Sequence, residues 1–160
     1  MNKYLLVDVA TQKKYVEGFG SEAVPFAPVV RENLMHITSA ARQLELPILS
    51  VIVAGEDNDM DEKVIDSLME GGKQTLIEIS DLSEWDGLNG YDAVFVYGIG
   101  VKHLEKVMSL FSKFESKLWV VEDAIKDWEE EVEKVFLEEV KQKFGARKIT
   151  TRNLDKYLRM

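Results

Sequence analysis

Short apolar runs alternate with helix-period stripes along most of this chain. Tyr4 to Ala10 is nearly unbroken apolar, as are Ile48 to Val53, Thr75 to Ile79, Ala93 to Tyr97 and Leu118 to Val121. Runs of that length and continuity predict strands buried on both faces of a parallel sheet. Between them the period changes. Val30, Leu34, Ile37, Ala41 and Leu44 recur at helical spacing, with Pro28 in the first turn and Pro47 as the stop. Val101, Leu104, Val107, Met108, Phe111 and Phe114 make a second stripe. Trp128, Val132, Val135, Phe136, Val140 and Phe144 make a third on a strongly acidic helix closed by Gly145. A short helix is expected over Glu62 to Met69, and a short helical or looping piece over Leu82 to Gly90. Arg147 to Thr151 reads as a sixth strand, with a last helix after it.

Strand and helix thus alternate about six times. Parallel neighbours need crossover connections, so the pattern predicts an α/β chain: a three-layer α/β/α Rossmann-like sandwich with a mostly parallel sheet of about six strands. Residues 1–160 are expected to form a single domain. In such sheets ligands lie outside the carboxyl ends of the strands. Those ends are Asp8 to Gln12, Val53 to Asp61, Ile79 to Asp81, Gly98 to Val101 and Glu122-Asp123.

Composition narrows the chemistry. At 46% hydrophobic the chain can bury a sizeable core. It contains no cysteine, which removes disulfides, thiolate metal sites and thiol nucleophiles together. Its net charge is −9 with no basic stripe, which argues against nucleic acid and against an acidic membrane surface. No apolar run approaches a membrane span, and the start does not read as a signal peptide, so a cytoplasmic location is expected. The acidic stretch Asp57 to Asp61 lacks the glycine and glutamate that a calcium loop requires; no metal and no cofactor is expected.

Three segments carry a resemblance. Leu5-Leu6-Val7-Asp8-Val9 is an opening strand ending in an aspartate. Asp92 to Val101 is a strand ending in Gly98-Ile99-Gly100 before a helix. Leu118 to Ala124, the long helix and Phe144 to Thr151 close the chain. In this order they resemble the isochorismatase-like hydrolases, the nicotinamidase-related cysteine hydrolases, over nearly the whole length. The resemblance implies a site built from an Asp, a Lys and a Cys. The Asp falls on Asp8. The Cys position, six residues beyond Gly98, falls on Leu104, and no lysine stands at the end of the third strand. The usual Gln two residues after the Asp is Ala10, with Gln12 beyond. The resemblance also implies an oxyanion turn at Gly98, Ile99, Gly100 and Val101, with Ile99-Gly100 a candidate for a strained or cis peptide. It places Ile79, His103 and Trp85 around a pocket, and homodimers or larger assemblies are common in the family. His103 is expected on a helix face and His36 exposed.

Two functions follow as expectations. In the first, the scaffold has lost its nucleophile and is a non-catalytic small-molecule-binding or assembly protein. In the second, Asp8 serves as general acid in a hydrolase of the isochorismatase type that needs no thiol.

Overall fold

The computed structural model describes residues 2–16, 22–53, 73–85, 90–114 and 117–160. The expected helix at Glu62 to Met69 and the acidic loop lie outside the described residues. Six strands make one sheet: β1 (Tyr4–Val9), β2 (Ile48–Ile52), β3 (Gln74–Glu78), β4 (Ala93–Ile99), β5 (Lys117–Lys126) and β6 (Arg147–Ile149). Their order is β3-β2-β1-β4-β5-β6, and every neighbouring pair is parallel. The order reverses between β1 and β4. That is the topological switch point, where doubly wound sheets open a crevice for a ligand.

Burial explains why these two strands stand in the middle. All seven residues of β4 are buried, as are Leu5 to Val9 of β1. Such strands have no polar side to offer water, so only a central position flanked by helices satisfies them. A four-residue turn, α1 (Lys13–Val16), leaves β1, and α2 (Ala27–Gln43) returns the chain to the sheet. Its stripe of Val30, Leu34, Ile37 and Ala41 is buried as expected, and Pro28 lies in its first turn. Further helices follow β4, β5 and β6: α3 (Val101–Phe111), α4 (Glu130–Phe144) and α5 (Thr151–Leu158). Helix α2 packs on β5 and against α5, whereas α3 packs on β4 and against α4, giving the layers of the predicted sandwich. Gly145 ends α4 in the left-handed region at φ +66°. There its N–H and that of Ala146 satisfy the carbonyls of Lys141 and Val140.

Three expectations about elements need correction. Strand β5 does not stop at Val121 but runs to Lys126. Its register against β4 jumps, with Val96 opposite Val120 and Gly98 opposite Ile125. One residue of β4 therefore faces a four-residue excursion, a large bulge of the kind that re-aims side chains beside sites. The piece after β3 is a 3₁₀ turn at Ile79–Glu84, so it starts earlier than the glycine-bounded segment suggested. The stripe of α4 is only half covered: Phe136 and Val140 are buried, but Val132 and Val135 are exposed. No described helix is long and apolar enough to cross a membrane.

Candidate functional site

Asp8, Tyr97 and Ser50 stand side by side at the switch point. Asp8 on β1 is the register partner of Ser50 on β2 and of Tyr97 on β4. In a parallel ladder partnered residues point to the same face, so the pairing brings three polar groups into one row. The Asp8 carboxylate is fully buried. It accepts hydrogen bonds from the Thr11 hydroxyl and, at 3.2 Å, from Ser50 Oγ. Gln74 Nε2 donates to Ser50 Oγ at 3.0 Å, extending the row toward the sheet edge. Tyr97 is fully buried, and its hydroxyl has no hydrogen-bond partner among the described residues. Burial first, and then the charge of Asp8, push its phenol well above the ordinary tyrosine range. It is therefore a donor at any physiological pH.

The segment after β1 is tied to the residue after β2. Ala10 takes φ +53°, uncommon for a residue with a Cβ. Gln12 then pairs with the backbone of Val53 in both directions, Nε2 to the carbonyl at 3.0 Å and Oε1 from the N–H at 2.8 Å. Lys14 is buried too. Its Nζ donates to the Val53 carbonyl at 3.2 Å and lies 5.0 Å from the Tyr15 ring centre.

The glycine turn at the end of β4 is shaped for close approach. Gly98 has φ +133° and Gly100 φ +86°. All described peptide bonds are trans, Ile99-Gly100, the candidate for a strained or cis bond, included. Two N–H groups of the turn have partners within the chain. Gly100 N–H donates to the Lys126 carbonyl, and Val101 N–H donates to Asp127 Oδ1, each at 2.8 Å. Asp127 Oδ2 also accepts from Glu129 N–H at 3.0 Å. One nearly buried carboxylate thus sits on the positive end of α3 and at the start of α4. The Gly100 and Val101 N–H groups are thus already taken within the chain.

Leu104 occupies the first turn of α3 and is fully buried, packed with Val101, Val107, Met108 and Phe111 in the core. His103, one residue before it, is half-buried beside Tyr15, with ring centres 6.5 Å apart. Burial first, then the positive charges of Lys102, Lys106 and Lys14, lower its pKa to about 4, against a smaller upward pull from Asp127. His36 is exposed on α2.

The lowered His103 pKa fixes a direction for acid stability. The unfolded chain takes up this proton near pH 6.5 and the folded chain only near 4. Between those values the unfolded state binds more protons, so stability is fully present above about pH 6.5 and declines as pH falls toward 4. His103→Gln is expected to flatten that limb of a urea-midpoint profile. An NMR titration placing the His103 midpoint near 6.5 would contradict the burial argument.

The remaining expected residues are not all brought together. Ile79 begins the 3₁₀ turn and is partly buried, and Trp85 follows that turn, packed partly against the core. The tryptophan at the glycine turn is Trp128 instead. Its ring would be met at 3.2 Å by a Cβ on Gly100, it lies edge-on to Tyr15 at 5.3 Å, and its Nε1 donates to the Glu22 carbonyl at 2.7 Å. Trp119 packs with Phe95 and Tyr157. Asp123, placed by sequence at a strand end, accepts from the N–H and hydroxyl of Thr151, both at 2.7 Å, and ties β5 to α5. Among the described residues no three His, Asp or Glu side chains come together as a metal site.

A 3-2-1-4-5-6 parallel sheet is the general doubly wound order; the solved structures it resembles make it the isochorismatase-like fold, here in a chain without a cysteine. Among solved structures the chain is similar to a cysteine hydrolase from Pseudomonas syringae pv. phaseolicola 1448A, with TM-score 0.81 and 16% identity over 98% of this chain and 92% of that one. It is similar to an isochorismatase-like hydrolase from Alkaliphilus metalliredigens, with TM-score 0.77 and 11% identity over 97% and 98%. A ribonuclease from Caenorhabditis elegans matches with TM-score 0.75 and 17% identity over 99% and 83%. No protein-family model matches the sequence, and no curated protein matches it.

Proposed function

We propose that this chain is a non-catalytic member of the isochorismatase-like hydrolases, a single domain that keeps the scaffold to bind a small molecule or to assemble. The observation that carries this reading is Leu104, fully buried where the fold's nucleophile is expected. Asp127 adds to it by holding the Val101 N–H that a transition-state oxyanion would need. Asp8 supports binding better than acid catalysis, because it is fully buried and hydrogen-bonded by two hydroxyls. The Tyr97 hydroxyl beside it is a buried donor that a ligand acceptor could satisfy. The net charge of −9 weighs against an RNA substrate, although one similar structure is a ribonuclease. Self-association and a cytoplasmic location complete the reading.

The test is turnover and binding by the purified protein with nicotinamide-like, carbamoyl and isochorismate-like compounds. No turnover is expected from the natural chain or from Leu104→Cys, while a ligand that binds the native state raises the thermal midpoint. Turnover that disappears in Asp8→Ala would replace this reading with the thiol-independent hydrolase.

A further inference from the structure

Helices α3 and α4 leave a groove of about 240 Å³ between them on the protein surface. Its apolar lining is Val101, Val132, Val135 and Phe136; its rim is Glu105, Glu131, Glu139 and Lys143. This is the face where the α4 stripe is uncovered, with Val132 and Val135 37% and 40% exposed. The space is smaller than the roughly 300–1,000 Å³ of pockets that enclose a drug-sized ligand. It suits two or three side chains presented from outside.

Charge selects the occupant. Three carboxylates face one ammonium around the apolar floor. Lys143 reaches Glu139 at 2.9 Å and Glu105 at 3.7 Å, and all three side chains are exposed. Exposed pairs of this kind contribute little, so an incoming cation can exchange with Lys143 at small cost. A second copy docked by the same face would bring two acidic rims together in a chain that already carries −9. We infer that the α3–α4 groove is a docking site for an amphipathic helix of another protein, with aliphatic anchors at i and i+3 or i+4 flanked by lysine or arginine. The anchors fill the apolar floor as in other helix-in-groove contacts, and the flanking cations pair with Glu105, Glu131 and Glu139.

The probe is a synthetic amphipathic peptide of about 18 residues, leucine at i, i+3, i+4 and i+7 and lysine elsewhere. It is titrated into the full chain while amide NMR shifts and fluorescence anisotropy are followed. The expected result is saturable binding with shifts centred on Val132, Val135, Glu105 and Glu139, weakening as salt rises. Val135→Ser and the pair E105K/E139K should each weaken it at least tenfold. The pair E32K/E45K, on exposed positions of α2 and the turn after it, should change it less than twofold. All positions changed are exposed or partly so, and circular dichroism confirms that each variant is folded. Absence of binding, equal weakening by both charge pairs, or a concentration-dependent dimer of the natural chain that buries Val132 and Val135 would each overturn the inference.

Discussion

Gly98→Ala is expected to abolish the native fold or to destabilise it by more than about 4 kcal/mol, a size reserved for severe steric or burial defects. Gly98 sits on β4 directly opposite Val9 of β1, at φ +133°. A Cβ built there lies 1.9 Å from the Val9 carbonyl oxygen and 2.7 Å from its carbonyl carbon. Both atoms belong to backbone in the middle of the sheet, where no flexible side chain can give way. Relief requires parting β1 from β4, the two most buried strands. Gly145→Ala is the control, because Gly145 also has positive φ (+66°) but a Cβ there meets nothing within 4 Å. It should cost only the left-handed backbone penalty of about 1–2 kcal/mol. Urea unfolding of both variants separates clash from φ. Equal midpoints would mean that the β1–β4 approach imposes nothing, and the crevice would lose its reason for a glycine.

The same strand shows what could be read before the fold was known. The apolar runs, helix stripes, Pro28 and Gly145 are local signals, and they placed β1, β2, β4, α2 and α3 within a residue or three of where they lie. The parallel pairing and the three layers followed from alternation; the strand order β3-β2-β1-β4-β5-β6 did not. Partners set by register were not legible. Ser50 is one polar residue in an apolar run, and nothing local says that it will face Asp8 from 42 residues away. Asp127 was equally hidden, since its partner at Val101 lies 26 residues back and depends on a bulge that lets β5 run past Val121. Lys14 reads as a surface charge after a strand, yet it is buried and its ammonium donates to the Val53 carbonyl. Trp85 and Trp128 were assigned by spacing along helices and loops, and only the meeting of β5 with the glycine turn decides that Trp128 is the one beside Gly100. The α4 stripe failed for a different reason. Helical period identifies an apolar face without saying whether a neighbour covers it, and here α3 covers only part.

Leu104→Ala is expected to cost about 2–5 kcal/mol, the range for emptying a leucine site in a close-packed core. The position decides how the missing cysteine is understood. If Leu104 lined an open cleft, truncation would leave space already wet, and stability would move by no more than about 0.5 kcal/mol, as for other surface changes. The structure places it instead at zero exposure, with Val101 and Met108 on its own helix and a fully buried β4 beneath. The cavity left by alanine cannot collapse easily, because Leu104 lies in a fully buried core and the first turn of α3 is pinned by Asp127 at Val101. Urea unfolding at constant m-value measures the loss directly. A large loss shows that the helix end which would activate a nucleophile has been converted to core, so that restoring a thiol without rebuilding Asp127 and its surroundings restores no chemistry. A loss near zero would instead mean that a cleft persists at Leu104, and would move weight to Asp8 as an acid working beside it.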